Sequence, residues 1–233
     1  MTPGQVIIHP VFPHRLSPDF VDACLTDEEK SRAARFHFPN DATHWAACRA
    51  ALRAILGREI GLAPREVPLV FSEFGKPLLA SPFNSLHFNL SHCPDLAIVA
   101  LSLDGPVGID LESLARATDL LECENSFCHP EEIRTLDADK EVRATQLLRI
   151  WTAKEAVLKA LGTGLSHPPE LVRIVFGPED TVAESEQGLS EIEIQMIRRL
   201  ENPAFEGFCV MVSSQKTAYR SEIVLKGTFQ AGN

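Results

Sequence analysis

Apolar and polar positions recur along this chain with two distinct periods, and these mark out its elements. The segment QVIIHPVF is rich in β-formers and predicts a strand. SPDFVDACL follows, with Ser17 placed to cap a helix and Pro18 at its first position. TDEEKSRAARF carries a second start signal, the capping box of Thr26 and Glu29. DATHWAACRAALRAIL is dense in alanine and leucine and predicts a long helix closed by Gly57. VPLVF reads as a strand and EFGKPLL as a turn. SLHFNLS then alternates: Leu86, Phe88 and Leu90 fall on one face, and His87, Asn89 and Ser91 on the other. LAIVALS is near-continuously apolar, and the turn DGP leads into VGIDLES. The short spacing of these three segments predicts a mainly antiparallel meander.

A second long helix is predicted through EVRATQLLRIWTAKEAVLKALG, stopping at Gly162. Strands are predicted in LVRIVF, EIEIQMI, GFCVMVS and EIVLKG. In EIEIQMI, Ile192, Ile194 and Met196 oppose Glu191, Glu193 and Gln195. The two halves echo each other. Arg49–Gly57 lies over Lys154–Gly162 without a gap, matching Ala51, Leu56 and Gly57 to Ala156, Leu161 and Gly162. DLAIVALS and GFCVMVSS follow the two helices with similar texture. The identities alone are few; the repeated order of elements points to a duplicated helix-plus-sheet unit. A thin linker is expected near residues 113–118, at LARAT, dividing the chain into α+β subdomains at 1–112 and 113–233.

Composition narrows the class. The 233 residues are 45% hydrophobic and 23% charged, values of a folded protein rather than a disordered or fibrous one. A net charge of -10 disfavours sequence-blind nucleic-acid binding but leaves room for a local basic pocket. No apolar run approaches the roughly 20 residues of a membrane helix, and the first residues lack a secretory pattern. The six cysteines form no CxxC pair, and CENSFCH has no second ligand pair to complete a metal site. Free, mostly buried thiols in a cytoplasmic protein are expected.

Four local patterns carry candidate chemistry. In GIDLE, Asp110 and Glu112 project from one face of a strand; either a hard divalent ion lies between them or the strand end meets solvent. In WTAKEAVLKALG, Trp151, Glu155 and Lys159 share one side of a helix, while Lys154 points to a neighbouring face. Glu155 and Lys159 at this spacing are either a modest helix-stabilising pair or a metal ligand or base beside a phosphate-binding lysine. In FNLSH, Ser91 and His92 are strand neighbours on opposite faces, which excludes a nucleophile–base contact. His92 is either a phosphate donor or a satisfied core histidine. In FGKP, Lys76 sits on a tight turn between Gly75 and Pro77, solvated or meeting an anion.

Taken in order, FGKP, FNLSH, GIDLE and WTAKEAVLKALGTGL resemble the Sfp-type 4'-phosphopantetheinyl transferases across roughly residues 30 to 165. The resemblance implies two similar helix-plus-antiparallel-sheet halves related by a pseudo-twofold axis, with coenzyme A between them. It implies Mg²⁺-dependent transfer of the phosphopantetheine arm to a serine of an apo acyl or peptidyl carrier protein, releasing adenosine 3',5'-bisphosphate. Asp110 and Glu112 match the strand metal ligands, and Glu155 the third carboxylate and base for the carrier serine. Lys159 matches the lysine that steadies the pyrophosphate and leaving group, and Lys154 a phosphate contact. Ser91 and His92 match residues holding the nucleotide; Gly75, Lys76 and Pro77 match the adenine-side turn. Arg49 matches a helix arginine at the 3'-phosphate, and Phe127 and Glu131 a F-x-x-x-E segment.

One position departs from the family pattern: His44 stands where relatives often carry arginine, so Arg49 or a weakly contributing His44 is left to meet the 3'-phosphate. Some relatives lack the Glu112 carboxylate, which makes Asp110 the firmer ligand. A monomer is expected, because duplicated halves form the cleft within one chain. A non-catalytic coenzyme A-binding module is the alternative reading; it has no need for the full set of carboxylates and lysines. A metal-dependent phosphodiesterase ranks behind, with no HD, DxDx or HxH pattern present.

Overall fold

The computed structural model describes residues 1–177, 181–185, 195–215 and 222–231. Glu191, Ile192, Glu193 and Ile194 of the predicted alternating strand lie outside them; Gln195–Arg199 is a strand. The structure is α+β, with two sheets stacked face to face and a long helix on each outer face. The first sheet holds β1 (Gln5–Val11), β4 (His87–His92), β5 (Ala97–Ser102) and β11 (Glu222–Leu225), ordered β11-β1-β5-β4. The second holds β6 (Val107–Ser113), β7 (Val172–Phe176), β8 (Thr181–Ser185), β9 (Gln195–Arg199) and β10 (Phe208–Gln215), ordered β6-β10-β9-β8-β7. A small hairpin pairs β2 (Leu69–Phe71) with β3 (Pro77–Leu79).

The layers follow from the alternation of side chains. Val6, Ile8, Ile98 and Ala100 of the first sheet meet Val107, Ile109, Leu111, Val210 and Val212 of the second in a core between the sheets. The other faces pack under helices. Helix α3 (Pro39–Ile60) lays Cys48, Leu52, Ile55 and Leu56 on Ile7, Phe88, Val99 and Leu101. Helix α5 (Lys140–Leu161) lays Ile150, Ala153, Val157 and Leu158 over Val172, Ile174, Cys209 and Met211.

The sequence echo corresponds to a repeated topology. In the first unit β1 precedes α3, β4 and β5, and β5 pairs antiparallel with β1 and β4. In the second, β6 precedes α5, β9 and β10, and β10 pairs antiparallel with β6 and β9. Short helices repeat as well. Helices α1 (Pro18–Cys24) and α2 (Asp27–Ala33) precede α3, and α4 (Pro130–Thr135) precedes α5. Both α2 and α4 open with a capping box whose glutamate also pairs with the long helix. Glu29 meets Arg53 at 2.6 Å, and Glu132 meets Lys154 at 2.7 Å.

Four expectations are corrected. The meander does not continue through β6: after Gly105, at φ 135°, the chain passes behind β5 and joins the second sheet. The sheets therefore exchange strands across residue 112, since β6 belongs to the second and β11 pairs parallel with β1 of the first. LARAT is no linker but the start of a 3-10 helix, Leu114–Glu122, anchored by buried Leu120. Gly57 does not close α3; the helix runs to Ile60 and is capped by Gly61 at φ 74°, while a Cβ on Gly57 would lie 2.6 Å from the Leu62 carbonyl oxygen.

Helix α5 crosses β6 at Gly108. A Cβ there would lie 1.9 Å from the Ala156 carbonyl oxygen and 2.4 Å from the Ala160 nitrogen. Gly108→Ala must push the helix off the strand and is expected to cost about 3 kcal/mol, the upper end for overpacking. Urea denaturation checks this; unchanged stability would mean that the helix rides further from the strand.

Candidate active site

The α5–β6 contact assembles the site. On β6, Gly108, Asp110 and Glu112 face the helix while Val107, Ile109 and Leu111 face the other sheet. On α5, Trp151, Glu155 and Lys159 recur every four residues and present one stripe to them. The Trp151 indole donates to Glu112 Oε1 at 3.2 Å, and Lys159 Nζ donates to Asp110 Oδ1 at 2.5 Å. Glu155 stands between, with Oε2 3.9 Å from Lys159 Nζ. Arg116 donates to Glu112 Oε2 at 3.0 Å.

Strand β4 closes the site from the first unit. On the polar side of its alternation, Asn89 and Ser91 are buried, not solvated. Asn89 Oδ1 accepts from the Ile109 amide at 2.8 Å, and Ser91 Oγ donates to Asp110 Oδ1 at 2.9 Å. Lys159 Nζ also donates to Ser91 Oγ at 3.2 Å. Ser91 is thus a buried prop for Asp110 and Lys159.

Among the described residues, two buried carboxylate oxygens, Asp110 Oδ2 and Glu155 Oε1, find no hydrogen-bond partner. Such groups are costly unless something positive meets them. Burial pushes the Glu155 carboxyl above its usual range; Lys159 opposes this, and Asp110 and Glu112 add to it. Burial also raises Glu112, with Asp110 contributing and Arg116 opposing. Hard oxygen donors with unsatisfied charge are the donor set of a Mg²⁺-class ion, so these residues fit one. Their oxygens do not close to a mutual 4.8 Å, a spacing met by His44, Cys48 and His92 instead. The Lys159 ammonium already supplies positive charge beside Asp110, so the carboxylates need not converge.

Other expected contacts are redrawn. Lys154 is not a phosphate contact: it is 0% exposed, and its ammonium is used by Glu132, by the Phe127 carbonyl at 2.7 Å and by the Pro169 carbonyl at 3.0 Å. Burial pulls its pKa down while Glu132 holds it up. Glu131 is a half-buried residue paired with Arg134, and the buried carboxylate of this segment is Glu132, which also accepts from the Ile174 amide at 2.6 Å. Phe127 is buried edge-on to Trp151, with centroids 5.3 Å apart. Lys76 meets carbonyls rather than an anion: Val107 at 3.3 Å, Lys159 at 2.5 Å and Ala160 at 3.1 Å. It ties the Gly75 turn, at φ 80°, to the carbonyl end of α5, and burial lowers its pKa to about 8.

Basic groups collect elsewhere. A cavity of about 410 Å³ is lined by Arg32, Arg35, Arg49, Arg53 and Arg65, with Trp45 and Phe71. Arg49 Nη1 is buried there with no hydrogen-bond partner among the described residues, while its Nε lies 3.7 Å from Glu29; burial lowers the guanidinium's pKa. Arg49 and Trp45 also wall a cavity of about 200 Å³ reaching Pro77, Asn89 and His92. Apart from Arg53, one turn from Arg49 on α3, the flanking arginines escape sequence reasoning, because Arg32 and Arg35 at α2 and just beyond it and Arg65 in the 3-10 turn after α3 converge only in the fold. A separate cavity of about 360 Å³ at His9, Arg58 and Lys226 shares no residue with these groups. His92 is exposed, and its Nδ1 lies 3.1 Å from His44 Nε2.

Comparisons with known proteins identify the family. A 4'-phosphopantetheinyl transferase superfamily model matches residues 106–208, and a 4'-phosphopantetheinyl transferase, N-terminal, model matches residues 13–103. The chain belongs to the 4'-phosphopantetheinyl transferase family. The 4'-phosphopantetheinyl transferase HetI of Nostoc sp. is 38% identical over 152 residues, covering 64% of each chain. A phosphopantetheinyl transferase of Thraustochytrium sp. is 30% identical, covering 73% of this chain and 64% of its own. The 4'-phosphopantetheinyl transferase Sfp of Bacillus subtilis is 27% identical, covering 62% of this chain and 63% of its own. The chain thus spans somewhat less than two thirds of these relatives' lengths. Among the described residues, no helix is long and apolar enough to cross a membrane.

Lys154→Met leaves Glu132 buried and uncompensated, which is expected to cost about 3–5 kcal/mol. Adding Glu132→Gln should restore part of that loss in a double-mutant cycle; full additivity would mean that the pair is not coupled. Glu155 behaves in the opposite sense. Its folded carboxyl holds its proton more tightly than the unfolded one, so ionisation penalises folding as pH rises past the ordinary carboxylate range. In metal-free buffer Glu155→Gln should be more stable than the parent at about pH 7, with the gain shrinking towards about pH 5. Thermal melts at both values decide; a loss of stability at the higher pH would make the Lys159 contact dominant.

Proposed function

We propose that the chain moves the 4'-phosphopantetheine arm of coenzyme A onto a serine of an apo acyl or peptidyl carrier protein, releasing adenosine 3',5'-bisphosphate. The observation that carries this reading is the pair of buried, unpartnered oxygens on Asp110 and Glu155 beside Lys159. The bond that forms joins the serine oxygen to phosphorus; the bond that breaks joins that phosphorus to the adenosine bisphosphate oxygen. Group transfer of this kind needs positioning and charge compensation more than covalent help from the protein.

Asp110 and Glu155 would hold Mg²⁺, with Glu112 as a further oxygen donor. Once bound, the ion offsets pyrophosphate charge. Glu155 accepts the serine proton; its raised pKa brings it nearer the pH at which a general base works best. Lys159, one helical turn on, moves from Asp110 towards the charge growing on the leaving phosphate. Trp151 and Arg116 already satisfy both Glu112 oxygens, which supports Glu112 as the lesser ligand.

The arginine-lined cavity, with Arg49 at its wall, takes the anionic nucleotide end, and Gly75, Pro77 and His92 border the route to the carboxylates. Ser91 supports the site from behind. Lys76 and Lys154 hold the helix that carries it. The chain works as a monomer in the cytoplasm, its two units forming one cleft. A non-catalytic coenzyme-binding module gains no support, since such a module has no use for buried carboxylate oxygens left without a hydrogen-bond partner.

Glu155→Gln and Asp110→Ala should each abolish formation of holo carrier from apo carrier, coenzyme A and Mg²⁺, read by mass spectrometry. Circular dichroism should show both variants folded. Complete arm transfer by either would remove that residue from the mechanism.

A further inference from the structure

His44, Cys48 and His92 form a cluster separate from the carboxylate site. His44 and Cys48 lie one turn apart on α3, and His92 ends β4. His44 Nε2 is 3.1 Å from His92 Nδ1 and 3.5 Å from Cys48 Sγ, and all three ligand atoms lie within 4.8 Å of one another. A tetrahedral zinc ion, with bonds of about 2.05 Å to nitrogen and about 2.3 Å to sulfur, separates nitrogen from nitrogen by about 3.3 Å and nitrogen from sulfur by about 3.5 Å. The two spacings from His44 Nε2 are within a few tenths of an ångström of these values. Two imidazoles and a thiol also suit zinc and not Mg²⁺, which takes oxygen donors.

Access is built in. Cys48 is buried at the floor, His44 is half-buried and His92 is exposed. The cavity of about 200 Å³ touches both Cys48 and His92, with Pro77 and Asn89 beside them.

We propose that His44, Cys48 and His92 bind a zinc-class divalent ion, leaving one coordination position open to this cavity. On binding, the Cys48 S–H bond breaks, its proton passes to solvent, and a metal–sulfur bond forms with no change of oxidation state. The ion and the nucleotide share His92, so each excludes the other. That exclusion rests on the function proposed above; the metal binding does not.

Co²⁺, a coloured stand-in for Zn²⁺, tests the site on the metal-free chain without coenzyme. One equivalent should give tetrahedral d–d absorption and a thiolate-to-cobalt charge-transfer band, both erased by Zn²⁺. Cys48→Ser should lose the charge-transfer band. His92→Gln alters an exposed ring, so folding is not at stake, and it should lose saturation at one equivalent. Cys93→Ser and Cys123→Ser should retain the full spectrum. A spectrum with no thiolate band, or a band that persists in Cys48→Ser, overturns the site. Excess coenzyme A should bleach the band of the loaded chain; simultaneous retention of cobalt and coenzyme would overturn the exclusion and leave metal binding standing.

Discussion

Helix α5 lies close enough to β6 that the strand has room only for glycine at position 108. That approach sets everything else in the site. Asp110 and Glu112 lie about 6.6 Å apart along the strand, whereas Trp151 and Lys159, eight residues apart, are separated by about 12 Å along the helix. The pairs Asp110–Lys159 and Glu112–Trp151 form together because two long helix side chains span a short gap between helix and strand, with Glu155 between them. Alanines 153, 156 and 160 on the helix serve the same closeness. A bulkier seam would leave the carboxylates apart and wet.

Long-range buried ion pairs hold each long helix to its unit by one device. A short helix begins with a capping box, and its third-position glutamate, after satisfying the cap, reaches a cation on the long helix. Glu29 does this for Arg53 and Glu132 for Lys154. Each glutamate thus closes a helix start and a tertiary contact at once. Removing a partner from such a pair is expensive because the remaining charge has nowhere to hydrate. The functional carboxylates are the counter-example: Asp110 and Glu155 keep oxygens buried and unmatched, a cost justified only by something that binds.

The parts of the fold and site that the sequence reveals are those governed by a local period. Asp110 and Glu112 share a face because strands repeat every two residues, and Trp151, Glu155 and Lys159 share one because helices repeat near four. The repeat of α3 in α5 is readable for the same reason. Lys154 is misread because its neighbour Glu155 says nothing about a face turned about 100° away. What lies there, Glu132, belongs to a distant segment. Lys76 is misread likewise, since its carbonyl partners come from β6 and α5. The exchange of β6 and β11 between sheets leaves no mark on the alternation of either strand.

The pairing of β11 with β1 sets a timetable for synthesis. Residues 222–225 complete the edge of a sheet begun by residues 5–11. While the chain emerges from the ribosome, β1 can recruit β5 and shelter under α3, but its outer edge stays open through production of the entire second unit. An unpaired edge of Val6, Ile7 and Ile8 is a template for stray strands. The nascent first unit therefore depends on the last strand for protection, which ties the solubility of the early half to the arrival of the late one.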